Sequence, residues 1–413
     1  MDAQASSSRA QQHEADRAAK RLAVRLSVAS ALAGGNAAVL FATASIIGAS
    51  MAPSPGLATV PLSTYVVGLA FGTLPIGAIA RRWGRRAAFL VGAFAGVLTG
   101  LVSAFSTLLW SFPLLCAGAF FGGVYAAASQ SYRFAAADGA SPYLQPKLIS
   151  WVLIGGVAAS FVGPQLVQHT MDLWPQRLFT ATYFAQAGVA ILAMLVLAGV
   201  KPSPVTALAS DEPARPLGQI VAQPKFVVAA LCGTVSYGLM NFVMTAAPLA
   251  MKMCGLSLSD SNLGLQWHIL GMYAPSFFTG RLIQRFGVTP VVAVGFLLEA
   301  AAGACDLSGI TVAHFWLGLA LLGVGWNFSF IGASALVVQC HRPSERTKVQ
   351  SFNDFVVFGT IALGSFSSGQ LLAGGGWTLV NIAVFPPAAI ALVALFWLTS
   401  RASRAAVAAP AAE

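Results

Sequence analysis

The sequence predicts an all-α integral membrane protein with twelve transmembrane helices in two six-helix halves and both termini in the cytoplasm. Three observations predict it. The 413 residues are 57% hydrophobic and only 9% charged, far from the roughly quarter-charged balance of soluble domains. Apolar runs of about 20 residues, the length that crosses a bilayer, recur almost without a break from Leu26 to Leu398. Finally, if the amino terminus is inside, 21 of the 23 lysines and arginines fall in cytoplasmic segments, leaving only Arg177 and Lys252 outside. Changing the number of spans by one destroys that asymmetry, which is the positive-inside bias. The formal charge of +10 is therefore topological and gives no reason to invoke nucleic acid.

Residues 1–25 are polar, with no short apolar core followed by a cleavage site, and read as a retained cytoplasmic tail. Six spans follow at 26–50, 57–80, 87–105, 109–133, 148–168 and 178–200. Residues 201–225, KPSPVTALASDEPARPLGQIVAQPK, mix Pro, Ser, Ala and both charges and form a cytoplasmic linker. A second set lies at 226–249, 262–284, 289–308, 311–338, 348–372 and 377–400, and residues 401–413 form a cytoplasmic tail. The expected domains are thus the halves 26–200 and 226–400. Five scattered cysteines without a CxxC pair indicate neither a disulfide framework nor a metal site, so no metal and no cofactor is expected.

The two halves repeat each other. GAIARRWG at Gly77–Gly84 returns 203 residues later as GRLIQRFG at Gly280–Gly287, again between the second and third spans of its half. Gly122 is matched by Gly325 at the same offset, and Asn36 lies near the counterpart of Asn241. A two-fold repeat of six-span units is the mark of a transporter built around a central site.

On these residues the chain resembles a major facilitator superfamily transporter over roughly residues 22–400. Gly77, Arg82, Trp83, Gly84, Arg85 and Arg86 fit the signature between spans 2 and 3, and Gly280, Arg285, Phe286 and Gly287 fit it in the second half. The acidic position of the signature is occupied by Arg81 and Gln284. The resemblance implies that this loop, with Gly77, Arg81, Arg82, Gly84, Arg85, Arg86, Gly280, Arg285 and Gly287, gates the cytoplasmic side. Arg81 then needs a counter-charge from Asp354, Glu345 or Asp138, with Asp354 the first choice. Gly163-Pro164 in span 5 partly resembles an antiporter motif but lacks its closing glycines. SYRFAAAD (Ser131–Asp138), YGLMNFVMTAAPLAM (Tyr237–Met251) and QWHILGMYAPSFFTG (Gln266–Gly280) resemble a little-characterised bacterial subgroup with a distant likeness to riboflavin importers.

Ionisable side chains inside the bilayer are costly and therefore functional candidates. Glu299, Asp354 and His268 lie within spans 9, 11 and 8. Glu299 and His268 are each either a proton-coupling group or a helix-bonding group, and Asp354, the third proton-coupling candidate, is also the expected counter-charge of Arg81. Polar stripes at helical spacing fall on spans 1, 4, 7, 8 and 10, and the resemblance makes 1, 4, 7 and 10 the cavity-lining helices. Asn36, Tyr125, Ser129, Tyr132, Tyr237, Asn241, Gln266, Tyr273, Trp326 and Asn327 are the expected substrate contacts. Any single small polar residue equally serves helix packing. Aromatic rings beside amides suit a small organic solute, aromatic or amide-rich.

The expected function is secondary active transport of such a solute across a bacterial inner membrane by alternating access, coupled to protons by family analogy. A drug or metabolite efflux antiporter of the same fold is the alternative. A membrane-embedded enzyme would need catalytic groups gathered at one depth, and a channel a ring of charge or a filter repeat; neither is seen. No Walker-type loop supports direct ATP drive. The expected partners are the solute and the bilayer, with the carrier a monomer and no nucleic acid bound.

Overall fold

The computed structural model describes residues 2–137, 140–141, 144–200, 215–342 and 345–408, and in them the chain is helical with no strand. The first half contains α1 (Asp2–Met51), α2 (Val60–Leu109), α3 (Phe112–Ser129), α4 (Tyr132–Ala137), α5 (Gln145–Thr170) and α6 (Thr180–Ala198). The second contains α7 (Leu217–Val221), α8 (Pro224–Met253), α9 (Leu258–Tyr273), α10 (Ser276–Phe286), α11 (Val288–Ser308), α12 (Val312–Val338), α13 (Arg346–Gly364), α14 (Ser367–Ile382) and α15 (Phe385–Ala408).

These helices make twelve crossings because glycine and proline divide the long apolar runs. Gly84 interrupts α2 at φ 82° and ψ 165°, separating spans 2 and 3. Gly376, at φ 65° and ψ −167°, does the same inside α14 between spans 11 and 12. Span 8 is not the continuous helix expected over 262–284. It starts earlier, at Leu258, where Ser257 and Asp260 form a capping box, and it breaks between α9 and α10, where Pro275 has no N–H to continue the ladder. Span 4 likewise divides at Gln130–Ser131 into α3 and α4.

Small residues set the helix spacing. A Cβ on Gly34 would stand 2.6 Å from the Cβ of Ala159, and one on Gly35 2.6 Å from Val162, so α1 and α5 meet backbone to backbone. Three large buried clusters result. One fills the second half around Phe296, Phe315 and Val380; one fills the first half around Phe89, Tyr125 and Tyr132. The third joins the halves, bringing Leu40, Tyr65 and Leu69 against Met240, Met244, Trp326 and Phe358.

The junction is sealed at the end away from the termini. Ser365 donates to Ser63 at 3.0 Å, Asn262 to the Pro164 carbonyl at 2.6 Å, and Gln165 to Gln266 at 3.2 Å. Thr59 and Gly56, in the loop before α2, lie against Gly369. These contacts stitch spans 2 and 5 of one half to spans 11 and 8 of the other. At the terminal end the Glu345 carboxylate is held by Arg215, whose Nε and Nη2 each donate at 2.8 Å, and by the backbone N–H groups of Arg215 and Arg342 at 2.9 Å. This bidentate grip pushes the Glu345 carboxyl well below the usual carboxylate range and pins the start of the second half to the loop before α13.

Candidate functional site

The candidate site is an aromatic cluster, termed the cage, at the junction of the halves. On α8, Tyr237 stands edge-on to three rings: Trp326 at 6.0 Å, Phe330 at 5.4 Å and Phe358 at 5.2 Å. Trp326 and Phe330, one turn apart on α12, lie parallel at 5.1 Å with 14° between their planes. Tyr273, at the end of α9, closes another side at 6.3 Å from Trp326, its ring resting on Gly156 of α5. From the first half, Phe41 and Tyr65 add an edge-to-face pair at 5.3 Å. The indole Nε1 of Trp326 and the hydroxyl of Thr245, two turns along α8 from Tyr237, are buried with no hydrogen-bond partner among the described residues. Asn241, one turn from Tyr237, is also buried.

Tyr237, Tyr273 and Trp326 were expected at a site, and the structure brings them together. Gln266 accepts the cross-half bond from Gln165, so it belongs to the seal. Five other expected contacts lie elsewhere. Asn36 is buried against α6, where it exchanges bonds with Gln186: the Gln186 amide donates to the Asn36 carbonyl at 2.8 Å and to its side-chain oxygen at 3.1 Å. Tyr125 turns into the first-half core beside Gly96, and Tyr132 stacks edge-on with Phe89 at 4.8 Å. Asn327 is consumed by the break in span 8: its amide donates to the Met272 carbonyl at 2.6 Å and to Ser276 at 2.8 Å, and its oxygen accepts from Thr279 at 2.6 Å. The physical reason is common to the two amides. In a bilayer an amide satisfies itself on the nearest helix, and a broken helix offers bare backbone groups. Ser129, half-buried, bonds back to its own helix at Ala126.

The three ionisable candidates separate. Glu299 on α11 is fully buried, and its Oε1 lies 2.9 Å from the hydroxyl of Ser236 on α8 and 2.7 Å from that of Ser329 on α12. Ser236 precedes Tyr237 and Ser329 precedes Phe330, so this network backs directly onto the cage. His268 of α9 is buried against α12, its Nδ1 2.8 Å from the Leu319 carbonyl. Asp354 on α13 faces Arg133 at the end of span 4, with Tyr273 also in the field of that guanidinium.

That arrangement corrects the expected partner of Arg81. Asp354 answers Arg133 and Glu345 is held by Arg215, while Arg81 is exposed with its guanidinium folded back along its own helix, Nη1 standing 3.6 Å from a Cβ placed on Gly77. Asp138, the third candidate, lies outside the described residues. Gly84 and Gly287 adopt matching left-handed conformations, and Arg82 and Arg285 each lie 5.2 Å over the aromatic ring that follows them. A carboxylate that sequence reasoning passed over, Asp306, is buried on α11 seven residues beyond Glu299, beside Gly318 of α12. Its spacing, two turns along one face from Glu299, was the available signal. Ser236, Ser329, Phe330, Phe358 and Tyr65 were missed because small hydroxyls and apolar rings read as ordinary packing.

Comparison with known proteins completes the identification. The family model described as Major Facilitator Superfamily matches residues 26–274 and 229–413. The riboflavin transporter RfnT of Brucella anthropi is 44% identical over 380 residues, covering 92% of this chain and 96% of the relative. An uncharacterised MFS-type transporter of Bacillus subtilis, YddS, is 30% identical over 355 residues, covering 82% of this chain and 81% of that relative. Among solved structures, a mutant form of the nucleoside transporter NupG and a D-xylose–proton symporter each superpose with a TM-score of 0.69 at 14% identity, covering 92% of this chain and 99% and 96% of theirs. Repeated halves, a junctional site and these matches agree: the chain belongs to the major facilitator superfamily and is a multi-pass secondary transporter of a bacterial inner membrane.

Proposed function

We propose that this carrier moves riboflavin, or a flavin of the same planar class, through the aromatic cage. The observation that carries the reading is the cage itself. Tyr237, Tyr273, Trp326, Phe330 and Phe358 form one contiguous cluster of ring faces and edges, which would favour a flat conjugated ring by stacking and by burial when the halves part. The unpartnered Trp326 Nε1 and Thr245 Oγ1 and the nearby Asn241 suit the carbonyl and imide edge of an isoalloxazine or the hydroxyls of its polyol tail. The 44% identity to a riboflavin transporter supports the same reading.

We place both termini in the cytoplasm, on the 21 to 2 division of basic residues. The conformation sealed by Ser63–Ser365, Asn262–Pro164 and Gln165–Gln266 is then closed to the outside. The matched loops at Gly84 and Gly287, with their arginine and aromatic pairs, would close the inside in the alternate state. We take the solute and the bilayer as its partners, with the carrier a monomer and its basic charge topological rather than a nucleic-acid surface. Uptake of labelled riboflavin into proteoliposomes tests the proposal. Saturable uptake, competed by unlabelled flavin and not by a free sugar alcohol, is expected; competition by the sugar alcohol alone would point to a different solute.

A further inference from the structure

The triad of Glu299, Ser236 and Ser329 contains more close oxygen contacts than its hydroxyls can fill. Glu299 Oε1 lies 2.9 Å from Ser236 Oγ and 2.7 Å from Ser329 Oγ; the two serine oxygens are 2.6 Å apart, and Ser329 Oγ is 2.7 Å from the Gly325 carbonyl. These are four contacts among acceptors, and each serine brings one proton. With Glu299 ionised, two of the four must set lone pair against lone pair. With one proton on Glu299 Oε1, three of the four are filled by one directed chain, Glu299 to Ser236, Ser236 to Ser329, and Ser329 to the Gly325 carbonyl, and only the Glu299–Ser329 contact is left without a proton. Glu299 Oε2 is buried with no hydrogen-bond partner among the described residues, a cost that is modest for the carbonyl oxygen of a neutral acid and severe for half of a carboxylate.

We propose that Glu299 is the proton-binding residue of this carrier, occupied in the conformation sealed away from the termini, and that Ser236 and Ser329 transmit its protonation to the substrate cage. Loss of the proton turns Glu299 into an acceptor for both serines, and Ser329 must then release the Gly325 carbonyl one turn behind it. Ser329 sits between Trp326 and Phe330, and Ser236 adjoins Tyr237, so the step acts on three walls of the cage at once. No bond other than O–H is made or broken, and the proton leaves to water on the open side. Glu299 is distinguished from the groups around it by its hydrogen bonds to the helices that carry the aromatic cluster. Cys232 of α8 is the titratable side chain that lies in the field of Glu299, and among the described residues no lysine, arginine or histidine is paired with it. Asp306 lies on the same helix two turns away, about 10 Å along the axis.

The transport readout rests on the flavin reading; an infrared readout does not. In the first, purified full-length carrier in proteoliposomes is given riboflavin and a one-unit pH gradient, which for one proton per solute sustains about a tenfold accumulation. Glu299→Gln is expected to bind riboflavin within about twofold of the wild type, still exchange internal for external riboflavin, and lose the tenfold accumulation. In the second, a pH titration of the purified protein is followed at the carbonyl stretch of protonated carboxylic acids. A titrating band absent from Glu299→Gln and displaced in Ser236→Ala and Ser329→Ala is expected. The serine variants keep the acid, so they decide the matter if Glu299→Gln does not fold. Accumulation by Glu299→Gln equal to the wild type, or a carboxyl titration unaltered in all three variants, overturns the proposal. Failure of the wild type to bind riboflavin overturns the flavin reading alone, and the infrared titration still decides the proton site.

Discussion

Gly84 and Gly287, 203 residues apart, hold nearly the same backbone conformation, φ 82° and ψ 165° in one and φ 87° and ψ 162° in the other. This region of backbone space is essentially restricted to glycine, and a side chain there costs on the order of 1–3 kcal/mol. The repeat seen in the letters GAIARRWG and GRLIQRFG is therefore a repeat in three dimensions, down to the arginine stacked 5.2 Å over the ring that follows it. Gly84→Ala and Gly287→Ala should each lower the thermal unfolding temperature and slow transport, with riboflavin binding retained. A melting curve and a flux assay on each single variant check this, and equal tolerance of alanine at both positions would contradict it.

Near the terminal end Arg133 of the first half and Asp354 of the second lie in each other's electrostatic field. Reversing Arg133 to Asp should abolish flux by placing two carboxylates together, and the exchange Arg133→Asp with Asp354→Arg should recover a measurable part of it. Arg81→Glu should be far milder, because that side chain is exposed. Flux assays at matched expression read all three.

Asn327 is the clamp of the broken eighth span. Asn327→Ala leaves the Met272 carbonyl without its donor, at a cost on the order of 1–3 kcal/mol. The expected result is a lower melting temperature with little change in riboflavin affinity per folded molecule. A direct ligand role would instead show as lost affinity at near-normal stability.

Much of this was legible in the sequence, and the parts that were not share a cause. Span number follows from apolar run length and from where lysine and arginine fall. The motif glycines follow from their repeated spacing. Tyr237, Tyr273 and Trp326 were visible because an aromatic residue in a polar stripe is unusual. Phe330, Phe358 and Tyr65 were not, since a ring on a transmembrane helix looks the same whether it faces lipid, core or substrate. Asn36 and Asn327 misled for the converse reason: a mid-membrane amide signals an unmet bond, and only the fold shows whether a neighbouring helix or a ligand meets it.

The grip of Arg215 on Glu345 gives a pH signature outside the membrane. Its folded carboxyl is held below the ordinary glutamate value of 4.5, so its contribution to stability is complete above that value. It is lost as pH falls from there through the folded value. Glu345→Gln should melt at a lower temperature than the wild type at neutral pH, and the gap should narrow progressively below about pH 4.5. A gap that widens on acidification would contradict the assigned direction.

The cage is the central claim, and equilibrium binding of riboflavin to the purified carrier tests it most directly, with wild type, Trp326→Ala and Tyr237→Ala compared under one condition. One lost ring contact is worth about 0.5–1.5 kcal/mol beyond its buried area. The account predicts saturable binding by the wild type and a weakening of roughly tenfold or more in each variant, with folding intact by melting curve. Binding of equal strength in all three, or none in the wild type, would contradict it.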